Sequence, residues 1–459
     1  MRSHPETPDS TVLSDSTVLS DSTDRERPAA PKPSRKGRIA LLAALFAGAL
    51  GGGYVFGADL AEAANERDAA AAASADPAAA GAGTEAVGGY MIEGDVPLDG
   101  DAVAALVEFV EAQAGRPFLT PPTIVGQADD EYAARVLELN RREYDELMAT
   151  PAGQRQLDAD LRYRQAFLGV DRSGSELAEL EIGSGGELFA AYYEPDTERI
   201  YLPNGAEPSE ELAATLVHEL VHALDDQYMD LEAYLAASEE RDKVPGAVRS
   251  EHPTVALTVV EGRAVAVQQS WLAANATAAG VPADVDPETQ AAIDELPVPL
   301  LLELSLPYEL GGGYIGHVGG AAETWDLFAK PPATTAEILT GEEPVREVAV
   351  RPEADGPELD RRDVGAIDVL VALAGGTVPL PPETVDTMNR AAIGWADGEA
   401  VTWGDDAQSC VRVVLAGETP EDLAEMTDAF TVWAGQADGR TVATDDGTLT
   451  LTGCAPYRP

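Results

Sequence analysis

The segment at residues 213–224 constrains the fold of this chain more than any other stretch. Apart from His218, Glu219 and His222, it contains only alanine, threonine, leucine and valine. Residues four apart on an α-helix lie on the same face, so the two imidazoles would point to one place. The segment therefore predicts a largely buried helix that brings two histidines together in the protein interior.

The spacing His218-Glu219-x-x-His222 is typical of a metal site. Two neutral imidazoles four residues apart bind zinc, and the glutamate between them can act as general base toward a water molecule. The alternatives are a solvated helix face and a pair of core histidines that hydrogen-bond to other groups. The apolar flanks disfavour the first, and a shared metal would satisfy both rings. Histidine is also scarce, with five in the chain, so we favour a Zn²⁺ site.

A zinc site of this kind needs a third protein ligand. The best candidate is Glu261, which lies inside the apolar run 254–267. This run is too long for one strand and predicts a helix that begins near Ser250. A buried carboxylate is costly unless a cation accompanies it, and zinc would be that cation. The alternatives are that Glu261 pairs with Arg263 or faces water at a bend near Gly262.

Several segments together resemble the gluzincin branch of zinc metallopeptidases, in which an H-E-x-x-H helix is followed by a glutamate on a later helix. The chain is more closely similar to membrane-anchored bacterial and archaeal proteins with the same site, over roughly residues 95–345. The segments are AYYEPDTERIYL at 191–202, HALDDQYMDL at 222–231, VEGRA at 260–264, LPY at 306–308 and KPPATTAEIL at 330–339. The resemblance implies a zincin-like fold, a Zn²⁺ cofactor and a peptide or protein substrate. One departure is Arg263, where the similar proteins have an acidic residue; it concerns the surroundings of Glu261.

Peptide hydrolysis also needs a hydrogen-bond donor for the oxyanion, and this donor must lie outside the zinc helix. Tyr308, Tyr314 and His317 occupy a glycine-rich stretch that could approach a site closely. Tyr308 matches a tyrosine of the similar proteins, so it is the first choice, and a purely structural role is the alternative for each. The predicted catalytic residues are Glu219, Tyr308 and His317.

Two further features are predicted around the metal. Asp225 or Asp226 lies one turn after His222, where a carboxylate could orient an imidazole; a solvated helix end is the alternative. The strand predicted at 189–193 could hold an extended peptide by backbone pairing along a sheet edge, as the gluzincin resemblance implies. Both features would surround the same helix.

The chain is strongly acidic, with 81 acidic and 30 basic residues and a formal net charge of -51. We therefore expect no nucleic-acid partner, because binding of that kind uses a basic patch. Self-repulsion of this size keeps a protein soluble, and salt screens it. We interpret the charge as adaptation to high salt. Attraction of cationic substrates is the alternative, which the even spread of acids along the chain disfavours.

The N-terminal region predicts a membrane anchor. Residues 1–34 are a polar tail, and basic residues then precede 39–58, which are twenty residues without a charge. That length is sufficient to cross a bilayer, and the basic side is expected in the cytoplasm. We therefore predict a single-pass anchor in the cell membrane at 35–58, an alanine-rich stalk at 59–90, and a catalytic part outside the cytoplasm.

The rest of the chain predicts an α+β fold in two units. Residues 91–345 would form a zincin-like helical core with a small, mostly antiparallel sheet. Residues 346–459 would form a smaller α+β unit. The main predicted helices are 101–113, 129–147, 152–168, 210–228, 250–274 and 420–433.

Two local patterns complete the predicted fold. Pro121 and Pro122 should restrict the strand at 118–125 to a sheet edge, since proline lacks an N–H for the ladder. Cys410 and Cys454 are expected to form a disulfide in an oxidising compartment. Two free buried thiols are the alternative.

The sequence therefore predicts a membrane-anchored, extracytoplasmic zinc metallopeptidase. Two alternatives remain open. One is a non-enzymatic surface protein whose binding domain is braced by zinc, and the other is a zinc hydrolase that acts on a non-peptide amide. The intact Glu219 favours an enzyme, because a structural zinc site has no evident use for a general base.

Overall fold

The structure is a computed structural model. It describes residues 85–87, 89–188, 191–239, 242, 247–275, 293–344, 351–374, 382–445 and 447–459. The predicted tail and anchor, and nearly all of the predicted stalk, lie outside the described residues. Within the described part, no helix combines the length and the apolar character needed to span a membrane.

Helices dominate the chain, and the strands form two sheets. The helices are α1 (Gly100–Ala114), α2 (Asp129–Ala149), α3 (Pro151–Tyr163), α4 (Gly174–Leu188), α5 (Glu210–Met229), α6 (Leu231–Glu239), α7 (His252–Asn275), α8 (Val298–His317), α9 (Thr335–Thr340), α10 (Ala366–Leu373), α11 (Pro382–Ile393) and α12 (Pro420–Ala434). The strands are β1 (Glu85–Val87), β2 (Tyr90–Glu93), β3 (Thr123–Gln127), β4 (Tyr192–Glu194), β5 (Arg199–Pro203), β6 (Glu358–Asp363), β7 (Trp395–Gly404), β8 (Gln408–Gly417), β9 (Arg440–Asp445) and β10 (Thr448–Pro456). The α+β class is confirmed. So are the main predicted helices, the third of which continues after α3 as a π-helical turn, Arg164–Leu168.

The first sheet is mixed, whereas the sequence predicted a mostly antiparallel one. Its strand order is β1-β2-β3-β5-β4; the inner pairs β2/β3 and β3/β5 are parallel, and the outer pairs are antiparallel. The strand predicted at the sheet edge is β3, which lies at the centre, so that prediction was wrong. Pro121 and Pro122 precede its first residue, Thr123, and so remove no N–H group from the ladder. Strand β4 is the edge strand beside the predicted metal site.

The two faces of the first sheet carry different helices. On one face, Ile124 of β3 belongs to the same buried cluster as Leu216 of α5. On the other face, Tyr192 of β4 packs with Tyr132 of α2. Side chains alternate along a strand, so Tyr193 joins the cluster on the α5 side. The sheet therefore lies between α5 and α2.

Helices α7 and α8 come into backbone contact at two glycines. A Cβ atom on Gly262 would overlap the backbone of Gly311, and one on Gly311 would overlap the carbonyl oxygen of Thr258. The sequence places the glycines at 311–313 in a stretch that could approach a site, and they lie within α8. Their contact fixes α7, which carries the predicted third ligand, against α8.

The second sheet is antiparallel throughout, with the order β6-β7-β8-β10-β9. Phe430 and Trp433 of α12 are buried in the core beside it. The predicted disulfide is confirmed: Cys410 and Cys454 are bonded to each other and occupy opposite positions on β8 and β10. The C-terminal region therefore has the predicted α+β character.

The largest buried cluster extends across both predicted units. It combines Phe167, after α3, and Leu300 of α8 with Trp395 and Trp433 of the C-terminal region. Trp395 is thus a core residue. Trp325 belongs to the other large cluster, around α1 and α5, and is also core.

Candidate metal centre

Helix α5 presents the H-E-x-x-H residues to the interior. Ser209 caps the helix by accepting a hydrogen bond from the backbone N–H of Leu212, and two glutamates follow in the first turn. His218, Glu219 and His222 are all 0% exposed. A solvated helix face is therefore excluded.

Glu261 lies on α7 and faces the two imidazoles of α5. It is fully buried, so it does not face water near Gly262. It also does not form the alternative pair with Arg263, because Arg263 binds Asp225. Residues two apart on a helix do not share a face, which explains why these neighbours have separate partners.

The three predicted ligands converge on one point. Nε2 of His218 lies 3.2 Å from Oε2 of Glu261, Nε2 of His222 lies 3.3 Å from the same oxygen, and the two Nε2 atoms are 3.0 Å apart. In a tetrahedral site with zinc–nitrogen and zinc–oxygen bonds of about 2.0–2.1 Å, neighbouring ligand atoms are about 3.3 Å apart. The three donor atoms therefore have nearly the spacing that a small divalent cation requires.

The chain itself leaves part of this group unsatisfied. Oε1 of Glu219, Oε1 of Glu261 and Nδ1 of His222 are buried and have no hydrogen-bond partner within the described ranges. An unsatisfied buried polar atom costs about 1–3 kcal/mol, and a charged group costs more. A divalent cation would offset this cost for the carboxylates. Two imidazoles and one carboxylate suit zinc, as they suit cobalt, so the residues fit a divalent metal while zinc stays a prediction.

Protonation within the group is uneven. Burial lowers the pKa of both imidazoles, but the charge of Glu261 and its hydrogen bond outweigh burial at His222 and raise that pKa to about 9. The pKa of His218 is lowered, mainly by burial. Burial raises the pKa of Glu261, but the attraction of His222 and the hydrogen bonds to both rings outweigh it and hold that pKa at about 2. Without a metal, a proton on His222 therefore balances the charge of Glu261.

The edge strand holds the glutamate of the motif. Oε2 of Glu219 accepts a 2.8 Å hydrogen bond from the backbone N–H of Tyr193 in β4, while Oε1 has no partner in the described part of the chain. Burial raises the pKa of Glu219 well above its usual range, and the attraction of His222 opposes this only in part. Glu219 therefore has one oxygen held by the strand, and its raised pKa favours the neutral form of the carboxyl while no cation is bound.

The strand predicted at 189–193 corresponds to β4, which begins at Tyr192; residues 189–190 lie outside the described residues. It is an edge strand, as backbone pairing with a peptide requires. One of its outward N–H groups, that of Tyr193, is already bonded to Glu219. A peptide could use this position only by replacing that hydrogen bond.

The predicted oxyanion donors lie in different places. Tyr308 is fully buried, and its ring stacks on His218 with centroids 6.2 Å apart. His317 is exposed at the end of α8, beside Gly341. Nine residues of helix separate it from Tyr308, or about 14 Å along the axis, so the structure does not bring His317 to the metal ligands. Tyr314 packs in a separate hydrophobic cluster.

Neither aspartate that was predicted to orient an imidazole does so. The oxygens of Asp225 accept hydrogen bonds of 2.8 and 2.9 Å from Arg263. Asp226 accepts hydrogen bonds from the hydroxyl of Tyr193 and from a backbone N–H. These carboxylates fix α5 to α7 and to β4, and Nδ1 of His222 has no partner in the part of the chain that the structure describes.

The sequence reasoning missed Gln268, which contacts the other imidazole. Its Oε1 lies 3.3 Å from Nδ1 of His218, and both side chains are buried. Gln268 follows Glu261 by seven residues, which is about two helical turns and therefore the same face of α7. That spacing is the signal that could have identified it.

Comparisons of the chain with protein-family models, with curated proteins and with solved structures gave no match. The gluzincin resemblance therefore depends on the sequence segments given above. The fold and the site define an α+β protein with a candidate divalent-metal centre between two buried helices.

Proposed function

We propose that this chain is a zinc-dependent peptidase that hydrolyses peptide bonds outside the cytoplasm. The observation that carries the proposal is the convergence of His218, His222 and Glu261 next to Glu219, a buried carboxylate with one unpaired oxygen. A metal site that only braces a fold has no need for this fourth group.

The proposed location depends on features distant from the metal centre. The uncharged segment 39–58 is long enough for one membrane anchor. The disulfide between Cys410 and Cys454 supports an oxidising compartment, because such bonds are rare in the cytosol. The first feature supports an anchor, and the second supports a main part outside the cytoplasm.

Each residue of the centre has a proposed role. His218, His222 and Glu261 would hold the metal, which when bound acts as a Lewis acid toward the scissile carbonyl and increases the acidity of water. Glu219 accepts the proton of the attacking water on its unpaired oxygen and delivers it to the leaving amine. The N–H of Tyr193 holds the other oxygen of Glu219 and so orients the carboxylate.

Tyr308 is the proposed donor to the oxyanion. Its ring lies against His218 in the protein interior, so it is the one predicted donor placed beside a metal ligand. His317 is left out of the proposed mechanism because it is exposed and distant along α8.

The closed state of the centre sets a condition on peptide hydrolysis. His218, Glu219, His222 and Glu261 have no exposed surface, so a peptide must displace part of the cover. We propose that the peptide displaces strand β4, because β4 is a sheet edge and the N–H of its Tyr193 is hydrogen-bonded to the proposed base, Glu219. A peptide that pairs with this edge would compete for that N–H and release the second oxygen of Glu219.

Complete burial also favours a second candidate function, a non-enzymatic surface protein that a metal braces. Structural zinc sites are closed, as this centre is. They usually have four protein ligands, however, and the described residues supply a cluster of three. For this reason the peptidase remains the better-supported proposal.

The substitution Glu219→Gln tests the proposed function. Glutamine has the shape of glutamate and can still accept the hydrogen bond from Tyr193, but it cannot take a proton from water. We expect the variant to keep its metal, while turnover falls by about 10²–10⁴-fold. Metal content is measured by atomic emission, and cleavage is measured by mass spectrometry on a proteome-derived peptide library in high salt.

The matched control is Glu211→Gln, which makes the same change at an exposed position of α5 and should leave metal content and turnover unchanged. Full turnover in Glu219→Gln would dismiss Glu219 as the base. A wild-type protein that binds metal and cleaves no peptide would favour the metal-braced binding protein or a hydrolase of non-peptide amides.

A further inference from the structure

The two imidazoles of the centre have different surroundings on the side away from Glu261. Nδ1 of His218 lies 3.3 Å from Oε1 of Gln268. Nδ1 of His222 has no hydrogen-bond partner among the residues that the structure describes. In the centre, Nδ1 of His218 therefore contacts a side chain, whereas Nδ1 of His222 contacts no hydrogen-bonding group in the described part of the chain.

The contact with Gln268 suits the tautomer of His218 that a bound metal requires. A neutral imidazole has one N–H donor and one acceptor nitrogen. A metal on Nε2 would use the lone pair of that nitrogen, which leaves the hydrogen of the neutral ring on Nδ1, where the amide oxygen of Gln268 can accept it. That Nε2 is the atom that lies 3.2 Å from Glu261 and 3.0 Å from Nε2 of His222. Gln268 is thus placed to favour the form of His218 whose Nε2 lone pair faces the point where the donors meet.

The position of Gln268 on α7 suits this task. It lies about two turns from Glu261 on the same face of the helix, and it is buried. One helix therefore supplies both a direct ligand and the group behind a ligand of the neighbouring helix. Gln269, the next residue, is exposed, so the two adjacent glutamines differ in their relation to the centre.

We propose that Gln268 is a positioning residue that holds His218 in the tautomer and orientation needed to bind a divalent cation. This inference rests on the proposed metal centre but not on peptide hydrolysis. Groups that accept a hydrogen bond from a metal-bound histidine typically affect metal affinity by about 10–100-fold. Gln268 would be the hydrogen-bond acceptor of this kind for His218.

The test compares three variants of the full chain for Zn²⁺ affinity, measured by competition with a chromophoric chelator. Gln268→Leu removes the acceptor and should weaken Zn²⁺ binding by about 10–100-fold. Gln268→Glu keeps an acceptor of the same shape and should bind Zn²⁺ at least as tightly as the wild type. Gln269→Leu makes the same apolar change at the exposed neighbour and should bind like the wild type. The Co²⁺ absorption spectrum should shift in Gln268→Leu alone, because a re-oriented imidazole changes the ligand geometry.

Thermal unfolding of the metal-free variants checks that each one is folded. If Gln268→Leu does not fold, Gln268→Met replaces it, since methionine is unbranched and adapts to the same space. Equal affinity in Gln268→Leu and Gln269→Leu overturns the proposal, as does an equal loss in Gln268→Leu and Gln268→Glu. Zn²⁺ binding without peptide cleavage in the wild type would contradict the proposed function alone. No Zn²⁺ binding by the wild type would overturn both.

Discussion

Helices α5 and α7 are joined by two buried polar groups that differ in how their charge is balanced. In one group, Asp225 binds Arg263 through both oxygens. Nη1 of Arg263 also donates to the backbone oxygen of Ala321 and to the hydroxyl of Thr324, and its guanidinium lies 4.3 Å from the ring centre of Trp325. This pair contains its own cation.

The other group is the metal centre, where two carboxylates meet two imidazoles. Glu219 and Glu261 each keep one buried oxygen without a hydrogen bond inside the described ranges. The balancing charge is a proton on His222, whose pKa is raised to about 9 against the effect of burial, mainly by the charge of Glu261. The same two helices can thus satisfy a buried acid fully, and at the centre they do not. The unpaired oxygens of Glu219 and Glu261 are the feature that supports the proposed metal at this centre.

The largest effect that separates the two groups is expected for Glu261→Ala. Loss of a direct ligand should weaken Zn²⁺ binding by more than about 100-fold, beyond the range for groups that only orient a ligand. Chelator competition on the purified variant measures this, with Gln269→Leu again as the folded control. Metal occupancy equal to that of the wild type would assign the third ligand to another residue. The metal centre would then not differ from the Asp225–Arg263 pair in the way described.

A large effect on stability is expected for Arg263→Met. It leaves Asp225 buried without a counter-ion, which should lower the free energy of unfolding by about 3–5 kcal/mol. The double variant Asp225→Leu/Arg263→Met should recover most of that loss, because apolar residues can replace a buried ion pair at little cost. Urea unfolding of the metal-free proteins measures both.

The matched control for this prediction is Arg390→Met. Arg390 lies 3.8 Å from Glu425 in an ion pair with both side chains about half exposed, and such a pair contributes about 0–1 kcal/mol. If Arg263→Met were no more destabilising than Arg390→Met, Arg263 would not be the cation that balances the charge of Asp225.

The smallest effect is expected from pH. The pKa of His222 in the folded protein, about 9, is above the value of about 6.5 for an unfolded chain. Its protonation therefore stabilises the metal-free protein fully below about pH 6.5, and this contribution is lost as the pH rises through about 9. A metal would displace the proton, so the metal-loaded protein should lack this loss. Urea midpoints between pH 6 and 9.5 test the difference, and a metal-free His222→Gln variant that keeps the full pH dependence would contradict the assignment.

The sequence was sufficient for features that depend on local periodicity. The H-E-x-x-H spacing predicted which residues of α5 share a face, and the apolar run around Glu261 predicted α7. It was not sufficient for features set by the rotation of one helix against another. Asp225 or Asp226 was expected beside an imidazole, and Asp225 instead binds Arg263. The relative rotation of α5 and α7 depends on packing across many residues, which no short motif specifies.

The same limit applies to the residues farther along the chain. His317 follows Tyr308 by nine positions, and the sequence placed both near the metal; the continuous helix α8 separates them. Pro121 and Pro122 predicted an edge strand, but the strand begins only after them. In both cases the prediction was wrong because the helix or strand begins or ends at residues that the sequence pattern did not specify.

The absence of exposed surface at His218, His222 and Glu261 has a kinetic consequence. An ion bound by these residues could exchange with the medium only during local opening of the fold, and openings of a well-packed core are infrequent. The metal carried by the mature protein would then record which ion was available when the chain folded, and later changes in the surroundings would alter it slowly.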